Sequence, residues 1–434
     1  MKYRFYNACV ITMDDNRSVL ECGEVWVNND KITYVGEAKT GASFAGFRQI
    51  NCQGDCLIPG LINTHTHLPM TVLRGIGDEH DFDGWWVEHV RPIEVQFTED
   101  DCYWSSLMGM AEMLEGGTTS VISMYFKEQG TLEAFKKSGM RGAVAVKINN
   151  LLELKDAERE FNERLAEIGK CPDTVQLFVQ SHSINTTEEP WLNLCTKMAK
   201  KYELRQTIHL SETLGEVGKC DKQHGKTPVE YLEQIGFFDY PTLIAHGVHV
   251  DKDDMAILRD RGVGVSINMS SNLKLGSGIA PVASYLQNGV SLSLGTDSAS
   301  SNNALDLFRE MLLASIVTKG VLNDASVVKA KEAFYMATRG GAEALGLADK
   351  IGQLKVGFKA DIVRISSNGL NWQPNNNKLS NIVYSANKRD VVTTMVNGKI
   401  LYDDGKFFIG ENLETIKLRS NRIIKRICGD KKHL

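Results

Sequence analysis

Leu57-Ile58-Pro59-Gly60-Leu61-Ile62-Asn63-Thr64-His65-Thr66-His67 runs from an apolar stretch straight into two histidines one residue apart. In extended backbone, residues i and i+2 project to the same side, so His65 and His67 can grip one ion together. Outward from this stretch the chain alternates short apolar runs with helical patterns. The runs at 57–63, 118–124, 142–148, 175–182, 207–212, 242–246, 263–267 and 290–296 make eight candidate strands. Continuous Val/Ile/Leu-rich strands separated by helices indicate a parallel sheet covered on both faces. Eight such units predict an α/β fold, a (β/α)8 TIM barrel spanning residues 57–350.

The two ends of the chain read differently. Val25-Trp26-Val27, Asn28-Asn29-Asp30 and Ile32-Thr33-Tyr34-Val35 form a hairpin signal. Thr394-Met395-Val396, Asn397-Gly398 and Lys399-Ile400-Leu401-Tyr402 form another. Residues 1–56 and 351–434 are therefore expected to build one small β-sandwich domain, interrupted by the barrel. Thr227, Pro228 and Glu230 predict a helix start with an N-cap, a proline at the first helical position and a capping box. Residues 413–428 predict a basic C-terminal helix whose charges form a solvated face.

Composition narrows the function. With 434 residues and 42% hydrophobic content, the chain can bury a large core and exceeds one minimal domain. Its 49 basic and 54 acidic residues leave a net charge of -5, which gives no argument for a nucleic-acid or membrane partner. The opening Met1-Lys2-Tyr3-Arg4-Phe5-Tyr6 lacks the apolar run of a signal peptide. No apolar stretch of about 20 residues suggests a membrane span. The nine cysteines are scattered, and no second pair joins Cys52 and Cys56 to make a zinc cage, so they read as reduced core thiols. Together these features lead us to expect a cytoplasmic protein. Gly276-Ser277-Gly278 hints at a phosphate loop, but no strand–GxxxxGK–helix pattern surrounds it.

The chemistry lies where histidines and acids fall. His65 and His67 end the first predicted strand, His209-Leu210-Ser211-Glu212 the fifth, Ala245-His246-Gly247 the sixth and Gly295-Thr296-Asp297 the eighth. In a barrel, the C-terminal strand ends carry the active site. His65, His67, His209 and Asp297 supply three nitrogens and an oxygen for one divalent metal ion, zinc first and iron as the alternative. Such an ion lowers the pKa of a bound water, making hydroxide available near neutral pH. Asp297 can hold the ion and take the water proton, and Glu212 can exchange protons with a substrate ring. His246 can polarise the attacked centre or steady the hydroxide.

These segments resemble the amidohydrolase superfamily, within it the branch of triazine hydrolases and of S-adenosylhomocysteine and methylthioadenosine deaminases. The matching motifs are residues 59–67, Gly116-Gly117-Thr118-Thr119, His209 to Thr213, Ala245-His246-Gly247, Ser271-Asn272-Leu273-Lys274-Leu275, Gly295-Thr296-Asp297 and residues 352–363. The resemblance implies a metal-dependent hydrolase that deaminates the adenine ring of a 5'-modified adenosine to the inosine analogue and ammonia. Its substrate would be of the S-adenosylhomocysteine, methylthioadenosine or 5'-deoxyadenosine type. The resemblance also implies that Glu94 binds the ribose hydroxyls, that His182 makes a second ribose or base contact, and that the chain forms a homo-oligomer. Trp85 and Trp86 would shape an apolar wall beside the purine, with core packing the other reading. The chain departs from the family pattern at Ile267-Asn268-Met269, where His-Asn-Pro is usual, and at Ser298, where glycine is common. Lys147, Arg159 and Arg164 lie where a substrate tail would be held, and none is assigned to it. A guanine deaminase or a triazine or chloro-arene hydrolase would use the same ion. A non-catalytic scaffold would lack the metal ligands, whereas this chain carries the full set.

Overall fold

A computed structural model describes residues 1–434 except Arg17, Thr40, Asp81, Asp83 and 430–434. Eight parallel strands form the central sheet: Leu61–Thr66, Thr118–Met124, Arg141–Lys147, Val175–Ser183, Arg205–Leu210, Thr242–His246, Gly264–Ile267 and Ser291–Leu294. Most of their residues are buried on both faces, as expected of strands walled by helices outside and packed side chains within. The first and last strands close the barrel through side chains and loop backbone. Thr64 Oγ1 lies 2.8 Å from Ser293 Oγ and donates to the Leu294 carbonyl at 2.9 Å, and Asp297 N donates to the His65 carbonyl at 2.9 Å.

The apolar run that sequence reading joins into one strand at 57–63 is two strands in two sheets. Cys56–Pro59 pairs with Lys2–Ile11 on one side and Ile362–Ile365 on the other, while Leu61–Thr66 opens the barrel. Gly60 is the crossing point, and a Cβ there would meet Thr119 Oγ1 at 2.0 Å. Only glycine lets the backbone pass that close. Periodicity could not separate the halves, because both are fully buried and apolar.

Strand Cys56–Pro59 stitches the chain ends into one mixed nine-stranded sheet. Phe5, Val25, Val27, Ile32, Ile362 and Met395 share its core. Both expected hairpins are present. Asn29 (φ 55°) turns the first, and Asn397 (φ 50°) with Gly398 (φ 76°) turns the second, the left-handed pair of a tight hairpin. Buried Arg141 at the barrel floor donates to Asp361 from Nε at 2.6 Å and from its terminal nitrogen at 3.1 Å, tying sheet to barrel.

The helix Pro228–Gln234 starts as the sequence predicts, with Thr227 and Glu230 completing the capping box. The helix Leu413–Cys428 also forms, but it is more than a solvated face. Its Ile423 packs into the cluster that includes Met70, Trp85, Ile93 and Tyr125. Six of the nine cysteines are buried, but Cys22 is exposed while Cys171 and Cys428 are half-buried, so three are not fully buried core thiols. Among the described residues, no helix is long and apolar enough to cross a membrane.

Candidate active site

The C-terminal ends of the strands surround a cavity of about 400 Å³, within the range of small-molecule sites. At its floor four sequence-predicted donors meet. His65 Nε2 is 3.6 Å and His67 Nε2 3.3 Å from Asp297 Oδ1, and His209 Nε2 is 3.3 Å from His67 Nε2. His246 comes within the same reach: its ligand atom and those of His65 and His209 lie within 4.8 Å of one another.

The local fold fixes which nitrogen each ring presents. His67 Nδ1 donates to the Met124 carbonyl, and His209 Nδ1 donates to the His182 carbonyl at 2.7 Å. In the neutral rings both Nε2 atoms therefore present lone pairs toward each other. Burial holds His209 well below the ordinary imidazole range and His65 down to about 4, which keeps both rings neutral. His65 Nε2 is buried with no hydrogen-bond partner. Opposed lone pairs, an orphaned buried nitrogen and a carboxylate in one place suit a divalent cation.

Asp297 is held by Ser271 Oγ, which donates to Oδ2 at 2.6 Å, and by Ser298 N, which donates to Oδ1 at 2.7 Å. Burial would raise its pKa, but the neighbouring imidazoles of His65 and His67 outweigh this and hold it well below the usual range. Gly295 lets this last strand approach the first, since a Cβ would sit 2.8 Å from His65 Cβ. His246 Nδ1 donates to Asn272 Oδ1 at 2.8 Å, leaving Nε2 3.7 Å from Glu212 Oε2. Ser271 and Asn272 thus orient the acid and the imidazole, a task their sequence motif did not reveal. Asn268 approaches His246 Nδ1 at 3.4 Å. Ser298 caps the short helix Ala299–Asn302. Three strand-end residues, Ser211, His246 and Asp297, have left-handed backbone (φ 54°, 76° and 59°). Such strain costs about 1–3 kcal/mol each and is typical of functional sites.

Glu212 is buried at the cavity, where Ser277 Oγ lies 3.4 Å from Oε1, and burial raises its pKa. Glu94 is 4% exposed, and burial pushes it up to about 7. Tyr125, missed in the sequence, donates its hydroxyl to Glu94 Oε2 at 3.3 Å. His182 Nδ1 meets Thr186 Oγ1 at 2.8 Å, and its ring stacks on Trp86 with centroids 5.9 Å apart. Trp85 and Trp86 both line the cavity, and Trp85 Nε1 donates to Ser300 Oγ at 2.9 Å. Of the basic residues weighed from sequence, only Lys147 lines it. Arg164 is paired with Glu128 and the Lys147 carbonyl, and Arg159 sits on the surface against Asp156. Arg91, given no role from the sequence, lines the mouth as well.

Residues 56–401 match the Amidohydrolase family. The chain belongs to that family. Over 406 residues it is 36% identical to the 5-methylthioadenosine/S-adenosylhomocysteine deaminase of Desulforamulus reducens, covering 92% of each chain. The enzyme of the same name from Acetivibrio thermocellus is 35% identical, covering 97% of this chain and 98% of its own. Among solved structures, an adenosine deaminase from Xanthomonas campestris with bound zinc superposes with a TM-score of 0.92 at 28% identity, covering 98% of each chain. This amidohydrolase is therefore a hydrolase acting on C–N bonds, and it carries a histidine-rich cluster at its barrel mouth.

Proposed function

We propose that this amidohydrolase deaminates the adenine ring of a 5'-modified adenosine, of the methylthioadenosine or S-adenosylhomocysteine type, releasing ammonia and the inosine analogue. The observation that carries this reading is Glu94, a buried carboxylate in the cavity whose acceptor capacity is mostly unspent, with one hydroxyl donated by Tyr125. A ribose diol is the natural partner for such a group. The names of the relatives point to the same substrates.

His65, His67, His209 and Asp297 would hold one divalent ion, zinc in this reading, and His246 stands within ligand distance of the same place. When bound, the ion acidifies a water so that it can attack near neutral pH. Asp297 accepts the water proton at Oδ1, the oxygen that faces His65 and His67. Glu212, kept protonatable by burial, delivers a proton to the ring nitrogen beside the attacked carbon; the proton held by Asp297 then passes to the amino group, and the new hydroxyl returns one to Glu212 as the C–N bond breaks and ammonia leaves. His246 is locked by Asn272 with Nε2 toward Glu212 and steadies the attacked carbon's new oxygen. Trp86 and His182 flank the base or ribose and exclude water.

The test is ammonia release across a panel of 5'-methylthioadenosine, S-adenosylhomocysteine, adenosine, free adenine and guanine. We expect the nucleosides to lead by about 100-fold or more in kcat/KM, because a site built for hydroxyls leaves its own polar groups unpaired on a free base. Faster turnover of guanine or adenine would overturn the reading. Glu94→Ala should lower kcat/KM on the nucleoside by about 100-fold and barely change it on the 2',3'-dideoxy analogue, which never made those bonds.

A further inference from the structure

The sequence carries the helix-start signature Thr-x-x-Glu twice within a short span, at Thr213-Leu214-Gly215-Glu216 and at Thr227-Pro228-Val229-Glu230. The structure uses them differently. At the second, Thr227 Oγ1 accepts from Glu230 N at 3.1 Å, and the Glu230 carboxylate turns back to accept from Thr227 N at 3.0 Å. That is an ordinary capping box. At the first, Thr213 Oγ1 accepts from Glu216 N at 3.2 Å, the usual half. The Glu216 carboxylate then passes over the N-cap and accepts, at 2.9 Å, from the main-chain N of Glu212.

Glu216 is 4% exposed and lies at the cavity wall. Its Oε1 is buried without a hydrogen-bond partner. Burial pushes the group up to about 7. A helix cap needs none of this. The less buried alternative, a carboxylate on the N-cap amide, is available one residue away and is taken at Glu230. Keeping a buried, half-satisfied carboxyl on Glu212 costs stability, and the return is a fixed strand-end turn: Ser211 is left-handed (φ 54°) immediately before Glu212.

We propose that Glu216 is a positioning residue for the reaction, holding the main chain of Glu212 so that the Glu212 carboxyl meets the substrate ring. The inference rests on the reading of Glu212 as the proton-exchanging group. In this role Glu216 acts through the main chain of Glu212.

The test compares Glu216→Leu, Glu216→Gln and Glu212→Gln in the metal-loaded enzyme, with ammonia release from 5'-methylthioadenosine, metal content and thermal midpoint as readouts. Glu216→Leu removes the acceptor and should lower kcat about 30-fold while KM stays within about 3-fold, since small displacements of a reacting group are expensive. Glu216→Gln keeps a side-chain carbonyl for the Glu212 N–H and should recover most of that loss. Adding Glu216→Leu to Glu212→Gln should cost less than about 3-fold further, because the group being positioned is already gone. Glu230→Ala, at the ordinary cap, should lower the thermal midpoint and leave kcat unchanged.

Full kcat in Glu216→Leu overturns the proposal, as does a Glu216→Gln variant as slow as Glu216→Leu. A loss that is fully additive with Glu212→Gln overturns it too. Should Glu216→Leu fail to fold, the Glu216→Gln rate and its additivity with Glu212→Gln decide alone: a rate near wild type supports the proposal, and a large additive loss overturns it. High activity of Glu212→Gln by itself would instead refute the reading of Glu212 on which the inference stands.

Discussion

Two of the buried polar clusters, one at each end of the barrel, obey opposite rules. At the floor, Arg141 and Asp361 satisfy one another with two hydrogen bonds, and Asn397 N adds a third to Asp361 Oδ1 at 2.7 Å. At the mouth, His65 Nε2 has no hydrogen-bond partner, the His67 and His209 Nε2 atoms are 3.3 Å apart, and three strand-end residues are strained. A saturated cluster has nothing left to bind and serves the fold. An unsaturated one is held open by the structure around it, at a cost, and is available for chemistry. The contrast follows barrel anatomy, in which the C-terminal strand ends carry function and the opposite face carries stability.

Four measurements would break or sharpen this comparison. His67→Ala should abolish tight binding of one metal ion per chain and lower kcat by on the order of a thousandfold or more, because the acidified water is lost. The fold should survive, since the mouth cluster stabilises little; full activity in a metal-free preparation would end the metal reading. Asp361→Ala should do the reverse. We expect about 3–5 kcal/mol of destabilisation from the uncompensated Arg141 charge, seen as a lower denaturation midpoint, with kcat of the folded enzyme unchanged. A kcat loss with normal stability would show that the floor cluster is part of the site. Glu212→Gln should retain its metal and lose about 100-fold in rate; a change of only a few-fold would make Glu212 a structural carboxylate. Smallest of all, Thr227→Ala should cost about 1 kcal/mol of stability through its lost cap and nothing in rate.

Much of this molecule was legible in one dimension. The barrel strands could be read because each is a continuous apolar run bounded by turn residues, and both hairpins because Asn and Gly at the turns have few other uses. The candidate ligand residues were legible as a set, since histidines and acids at four strand ends share a face in any parallel barrel, and the structure brings them together. The terminal sheet was less so. Nothing local in residues 57–63 announces that two sheets divide there, because a buried strand of one sheet has the same composition as a buried strand of another. Tyr125, just past the strand Thr118–Met124, and Arg91, at the start of the short helix Arg91–Glu94, were not singled out from the sequence and reach the cavity only through the path of the chain beyond the strand ends.

What the amino-acid sequence determined alone is therefore the inventory and its order: which donors exist, on which strands, and with what helix-start signals. The tertiary structure decided orientation. It selected Nε2 on His67 and His209 by giving Nδ1 a carbonyl, and it aimed His246 by setting Asn272 behind it. It also made one Thr-x-x-Glu an ordinary cap and turned the other onto Glu212. The reason is physical. Spacing along a strand or helix fixes which face a side chain leaves from, but hydrogen-bond partners are supplied by neighbouring strands and loops that are distant in the chain, and only packing brings them within 3 Å or so of each other.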